Sequence, residues 1–366
     1  VKSKPGPPGP DSLLSLDFFI LVSESVANLE EESMIANKCK NYICFKQFFR
    51  RVPIILTFLI IAIFPFSANA FDILLGTGET ETFSHFAGRM ICRVINRHSD
   101  DLNCKTVPGP GDVHNLTNLQ GGSLDIGLID SRMLHDALNK SGYFEFLDIS
   151  YDNLRTLAPL YDDPITLVVR TDAKIASLEA LKGKRINAGA PRSLERLAVD
   201  TIMKAKNWTK ADFSLIGELS ASQSQDTMAF CHGTIQAMVH IGVHPDSSLQ
   251  QLLKLCKADL VDMYDNDIEK LVNDHPAFFK INIAADTYPS HPSGVTTLGT
   301  RAVLVVPQDL DEQTVYTIMD AIYSSRKRLK SAHVALSLFA VDATRQSEIG
   351  IQLHPGAVKY FSEHGQ

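Results

Sequence analysis

Two stretches of this sequence have the residue types and spacing to hold a small anion. In the first, Ile73-Leu74-Leu75 runs into Gly76-Thr77-Gly78 and a polar run, Glu79-Thr80-Glu81-Thr82, before apolar periodicity begins at Phe83-Ser84-His85-Phe86. A strand feeding a glycine turn that opens a helix aims free backbone N–H groups and the positive helix end at one point, which suits a carboxylate or phosphate. From this turn Gly78, Thr80, Ser84 and His85 are candidate ligand contacts. The competing reading is an ordinary turn whose helix is capped by Thr82 or Ser84. In the second stretch, a strand over residues 186–188 leads into Ala190-Pro191-Arg192-Ser193-Leu194-Glu195-Arg196, again a turn before a helix start. Arg192 brings a bidentate fork suited to a carboxylate. Ser193, with Arg192 and Arg196 beside it, is the best single site in the chain, set against plain N-capping by Ser193 with solvated arginines. His244, before Pro245 at a strand end, is a further cleft candidate.

Other chemistries find less support. The third glycine of a dinucleotide loop and the lysine of a P-loop are both missing around Gly76-Thr77-Gly78. No Gly-x-Ser-x-Gly elbow occurs and no nucleophile–base pair stands out, so binding rather than catalysis is expected. No Cys-x-x-Cys spacing occurs, and the scattered His232, His240, His275 and His354 are not read as metal ligands. No cofactor is called for.

The elements that must position these residues start after residue 70. Met34 opens a basic stretch with Lys46, Arg50 and Arg51, residues 52–66 are almost unbroken apolar, and Ser67-Ala68-Asn69-Ala70 has the small-x-small cleavage pattern. The apolar run is short of the ~20 residues that span a bilayer, so residues 34–70 read as a signal peptide cut after Ala70. Residues 1–33, with their Pro-Gly-rich opening, read as a non-native or mis-translated extension. Of the 366 residues, 71–366 then form the exported chain, long enough for two lobes. That part carries eight more acidic than basic residues, which disfavours nucleic acid or an anionic membrane face as partner. Four cysteines remain in it, Cys92, Cys104, Cys231 and Cys256, an even number that suggests two disulfides. Three pairings are open; the nearest-neighbour one closes two short loops, each contributing roughly 3 kcal/mol.

Strand and helix patterns alternate along this part, the rhythm of an α/β protein with parallel sheets. Strands are expected at residues 154–160 and 165–169, broken by Asp162-Asp163-Pro164, and a strand at 298–306 ends at Pro307. Helices over 313–330 and 334–338 are expected to cover the first lobe. Chain crossings near 168–171 and 295–301 suit a hinge. The glycine turn and the Arg192 turn, one per lobe, are expected to face each other across a cleft.

These motifs, taken in order, resemble the TAXI family of TRAP-transporter solute receptors, which includes immunogenic proteins of some alphaproteobacteria. The resemblance rests on Gly76-Thr77-Gly78, Met90-Ile91-Cys92-Arg93-Val94-Ile95-Asn96, the run Asp163-Pro164-Ile165-Thr166-Leu167-Val168-Val169-Arg170, Leu178-Glu179-Ala180-Leu181-Lys182-Gly183-Lys184-Arg185, Trp208-Thr209-Lys210-Ala211-Asp212-Phe213, Gly242-Val243-His244-Pro245 and Leu353-His354-Pro355-Gly356-Ala357.

The resemblance implies a type II-like periplasmic-binding fold, with lobe 1 formed by 71–168 and 296–366 and lobe 2 by 169–295, each a mainly parallel sheet flanked by helices. It implies a periplasmic receptor that closes on an anionic or zwitterionic metabolite, such as glutamate, glutamine or 2-oxoglutarate, and delivers it to the membrane subunits of a TRAP permease; a monomer is expected. By the same resemblance Asn115 and Ser131 line the first lobe's side of the cleft, Tyr161 stands near the hinge, and the four cysteines pair as Cys92–Cys104 and Cys231–Cys256.

The departures fall at the expected ligand site. Glu79, Glu81 and Thr82 replace loop glycines, Ser84 and His85 replace aromatics, and Arg192-Ser193-Leu194 stands for Gly-Ser-Gly. Pro108-Gly109-Pro110-Gly111-Asp112 stands for Thr-Gly-Gly-Ser, and Asp130 for glutamine. Side chains in place of glycine obstruct close backbone approach, and added carboxylates repel an acidic ligand unless they are paired or face solvent. A non-transport sensor or an antigen with an altered pocket is therefore the alternative reading.

Overall fold

The computed structural model describes residues 70–219, 224–289, 293–340 and 351–365. Residues 1–33, and the expected signal peptide up to residue 69, lie outside them.

The first half opens with β1 (Phe71–Thr77), α1 (Phe83–His98), β2 (Leu102–Pro108), α2 (Asp112–Gln120), β3 (Ile126–Asp130) and α3 (Ser131–Leu138). β1 pairs in parallel with both β2 and β3. Helix α1 forms because Ala87, Met90, Ile91, Val94 and Ile95 recur at helical spacing, which puts one apolar stripe against the sheet. After β4 (Leu154–Arg170), the second half carries β5 (Arg185–Asn187), α4 (Leu194–Ala205), β6 (Leu215–Gly217), α5 (Ser224–Cys231), β7 (Ala237–Ile241), α6 (Ser247–Cys256), β8 (Ala258–Val261) and α7 (Asn266–Asp274). There β5 pairs in parallel with β6 and β7. The chain returns through β9 (Phe279–Ile283) and β10 (Val295–Pro307), and ends in α8 (Glu312–Ser324), α9 (Arg326–Ala332) and α10 (Pro355–His364).

Among the described residues ten strands join in one mixed sheet, ordered β2-β1-β3-β10-β4-β7-β5-β6, with β8 beside β4 and β9 beside β10. Each half is a parallel triplet. The antiparallel pairs all involve β4 or β10, the two long strands that tie the triplets together. Both strands are buried on both faces: Val303 and Val305 of β10 pack into one core, and Leu304 and Val306 into another. That double burial explains their nearly continuous apolar runs.

The expected break at Asp162-Asp163-Pro164 does not occur, and β4 runs through it as one strand of 17 residues. Pro164 lacks an N–H, yet it falls where β4 leaves β10 and takes β7 from Ile165 onward, so the missing donor interrupts no ladder. Opposite it stands Gly299, where a Cβ would lie 2.4 Å from the Asp163 carbonyl oxygen and 2.9 Å from the Pro164 Cα. The helix expected over 313–330 is two helices, α8 and α9, meeting at Ser325. Helix α8 packs on α1 and α10 and covers the first half.

Cys92 is joined to Cys104, clamping α1 to β2, and Cys231 to Cys256, joining the ends of α5 and α6. Trp208 is buried in the second-half core with Phe213 against its ring edge. No helix among the described residues is long and apolar enough to cross a membrane.

Candidate functional site

A cleft of about 740 Å³ lies where loops and helix starts of both halves meet. The β1–α1 turn forms one wall. Thr82 caps α1 by accepting from the His85 N–H at 3.3 Å, while Ser84 turns back and accepts from the Gly78 N–H at 3.1 Å. Ser84 is also hydrogen-bonded to the Tyr161 hydroxyl. Gly78, Ser84 and Tyr161 of the expected contacts therefore line the cleft. Glu79 and Glu81 sit exposed at its rim.

The other expected contacts lie outside the lining, each for a local reason. Thr80 is exposed at the turn, and His85 is held by the Thr77 hydroxyl at 2.9 Å. Asn115 is buried and donates to the Thr77 carbonyl at 3.1 Å. Ser131, fully buried, donates to the Ala277 carbonyl at 2.9 Å and accepts from the Arg301 N–H at 3.0 Å, pinning α3 to β10. Arg192 has a left-handed φ of 70° and an exposed side chain, and it is not part of the lining. Ser193 caps α4 by accepting from the Arg196 N–H at 3.1 Å. Arg196 is taken up by Asp200 at 3.0 Å and Glu218 at 2.7 Å. His244 contacts the Tyr288 hydroxyl and lies 2.9 Å from the Thr166 hydroxyl. Burial, with the charge of His240, pushes its pKa down to about 4. Here these residues serve as caps, staples and surface pairs.

What the cleft holds instead is a set of carboxylates brought together from separate elements. Asp112 is the first residue of α2, Asp130 the N-cap of α3, and Asp163 lies within β4. Asp130 accepts from the Arg132 N–H at 2.9 Å and the Met133 N–H at 3.3 Å, and from the Thr300 hydroxyl. Its pKa is raised, because burial outweighs these bonds. Asp112 is pushed up to about 7 by burial and then by the Asp130 charge, against a weak bond from the Asp130 N–H at 3.4 Å. Asp163 is raised well above the carboxylate range by burial, then by Asp130, Asp112 and Asp162. No hydrogen bond from the described residues reaches its carboxylate. Tyr161 is only 3% exposed, and its hydroxyl is raised by burial and then by Asp163.

The guanidinium in the lining is that of Arg132, missed in the sequence because it stands inside a helix start with no motif around it. Its Nη1 donates across the cleft to the Leu197 carbonyl in α4 at 3.2 Å. A second crossing bond runs from the Tyr143 hydroxyl to the Arg192 carbonyl at 2.9 Å. Asp130 carried a signal in the sequence, as a carboxylate standing for glutamine. Asp163 carried none beyond its place in a motif. Among the described residues no three His, Cys, Asp or Glu side chains are placed to hold a metal ion.

Two α/β halves, joined by two long strands and meeting at a lined cleft, make the two-lobed fold of the periplasmic solute-binding proteins. A TctC solute binding protein from Polaromonas shares it, with a TM-score of 0.50 and 13% identity over 80% of this chain and 95% of that one. PhnD1 from Prochlorococcus marinus, in complex with methylphosphonate, gives a TM-score of 0.46 at 12% identity over 76% of this chain and 97% of its own. The alkanesulfonate-binding protein SsuA from Xanthomonas axonopodis pv. citri, bound to MOPS, gives 0.42 at 13% identity over 80% and 83%. At 13% identity the likeness to the Polaromonas protein is one of fold. The chain belongs to the NMT1-like family, which it matches over residues 75–365.

Proposed function

We propose that this chain is an extracytoplasmic solute receptor that captures a small metabolite by closing two lobes on it, without catalysis, and delivers it to a membrane permease of the TRAP type. The observation that carries the reading is the cleft itself: its lining comes from both halves, and Arg132 and Tyr143 bridge them. Residues 71–168 and 296–366 act as one lobe and 169–295 as the other, with β4 and β10 as the hinge strands. Placement in the periplasm by a signal peptide ending at Ala70, and action as a monomer, belong to the same reading. Of the ligands the family resemblance implies, glutamate and glutamine carry an ammonium group that suits the acidic lining, whereas 2-oxoglutarate does not. The acidic lining also favours one other reading, a periplasmic sensor or an antigen whose pocket has drifted from transport.

A thermal-shift panel of amino acids, amines, keto acids and dicarboxylates tests the receptor reading. A ligand at a hundred times its dissociation constant adds about 2.7 kcal/mol, which raises the melting temperature by several degrees in a chain of this size. Uptake into vesicles carrying the permease subunits, dependent on added receptor, is the expected second result. Selective binding without uptake moves the sensor reading ahead.

A further inference from the structure

The charge balance of the cleft is lopsided. Its lining includes Glu79, Glu81, Asp112, Asp130, Asp163 and Asp246 against the guanidinium of Arg132 and the imidazole of His333. Arg132 is already engaged by Leu197 and lies 3.8 Å from Asp136. Arg301, 5% exposed, is tied to Asp162 at 2.8 Å. The Asp163 carboxylate, by contrast, faces the cleft with no hydrogen bond from the described residues. The same lining holds aromatic rings, with Phe83 and Tyr161 in edge contact at 4.9 Å and Phe86 39% exposed. Carboxylates beside aromatic faces attract organic cations, by ion pairing and through the ring quadrupole. A bare metal ion fits less well, because no three of the described carboxylates and imidazoles are placed to ligate one. A dianion would meet repulsion from each carboxylate that is ionised, and would drive the rest to stay protonated.

We propose that the cleft takes a ligand carrying a protonated amine or guanidinium, seated on Asp163 and Asp112 against the rings of Phe83 and Tyr161, and discriminates against purely anionic metabolites. The proposal rests on the receptor reading and adds the ligand's charge to it. It also carries a proton exchange. Crowding and burial keep a proton on the carboxylate set of the ligand-free cleft, and the arriving cation takes that proton's place while the proton leaves to solvent. The groups facing this set are Glu79 and Glu81 from the β1–α1 turn, Arg132 from α3, Tyr161 and Asp162 from β4, Arg301 from β10, Asp246 before α6 and His333 after α9. Affinity therefore falls as pH falls, and a proton displaced from Asp112 alone, at about 7, lowers it about fifteen-fold between pH 7 and pH 5.5.

The test is titration calorimetry and thermal shift on the full chain with disulfides formed. The probes are putrescine, lysine methyl ester, arginine, succinate, 2-oxoglutarate and calcium chloride. The expected result is binding of one or more amines, with heats that differ between phosphate and Tris buffers as proton release requires. Asp163→Asn is expected to lose at least ten-fold in amine affinity with an unchanged circular dichroism spectrum. Should that variant fail to fold, Asp112→Asn and the wild-type pH series carry the same prediction. Binding of succinate or 2-oxoglutarate with no response to amines overturns the cation proposal and leaves the receptor reading standing, and so does tight calcium binding alone. Amine binding untouched by both substitutions overturns the assigned seat. A flat response to all probes and to the wider panel overturns the receptor reading itself.

Discussion

Asp112 shows how one side chain at this site behaves as a ligand-free group. Its carboxyl titrates at about 7 instead of 3.8, so the folded protein keeps a proton that the unfolded chain gives up from about pH 4 upward. The stability this group contributes is complete below its unfolded value and is lost as pH rises through 7. Asp130 and Asp163 are displaced in the same direction. Asp112→Asn, which cannot ionise, is therefore expected to stabilise the folded state by about 2–4 kcal/mol at pH 8 and by much less at pH 5. Urea denaturation of variant and wild type at the two values measures the difference; equal stabilisation at both would remove the titration as its cause. Ser131 belongs to the same neighbourhood but to another kind of role. Loss of its hydroxyl removes the bonds to the Ala277 carbonyl and from the Arg301 N–H inside the protein, and Ser131→Ala is expected to cost about 1–3 kcal/mol in a denaturant titration.

At the scale of elements, β4 and β10 decide where the carboxylates stand. Asp162 and Asp163 pair with Arg301 and Thr300 across the ladder, and Thr300 in turn reaches Asp130 at the end of β3. This close approach depends on Gly299, since a Cβ there would meet the Asp163 carbonyl. Gly299→Ala is expected to destabilise by about 1–3 kcal/mol through overpacking, read as a lowered melting temperature, and to weaken ligand binding because Asp163 is displaced. Elsewhere helices are held by covalent clamps. Cys92–Cys104 closes a segment with a separation of 12 residues and Cys231–Cys256 one of 25. Replacing either pair by serine is expected to cost about 3 kcal/mol, visible as a lower urea midpoint that reducing agent no longer shifts as far.

For the whole molecule the question is closure. The Arg132 bond to Leu197 and the Tyr143 bond to Arg192 join elements of the two halves across the cleft, and both form only when the halves approach. A bond of this kind is worth about 1–2 kcal/mol net, so Arg132→Ala is expected to shift the ligand-free equilibrium toward the open form by roughly ten-fold. Small-angle scattering reads this as a larger radius of gyration for the variant, restored on adding a saturating ligand. An unchanged radius would mean that the two halves are held together by packing alone. Because closure desolvates the carboxylates further, a cation in the cleft and closure of the lobes are expected to reinforce each other.

Much of this architecture was written into local patterns. The apolar spacing of α1, the strand–turn–helix at Gly76-Thr77-Gly78, the Ser193 cap and the even cysteines each depend on neighbours a few residues away, and their order carried the two-lobed fold. The double-sided burial of β4 concealed that Asp162-Asp163-Pro164 lies inside one strand, since a proline reads as a break until its partner strand is known. The charge of the cleft was decided only by the tertiary structure. Arg192, the cation the sequence put forward, is exposed and outside the lining, while Arg132 takes a place in it. Asp112, Asp130 and Asp163 come from three elements far apart in the chain, and each alone is an ordinary capping or strand residue. Their effect on one another falls with distance and grows with burial, and both quantities exist only once the chain has folded.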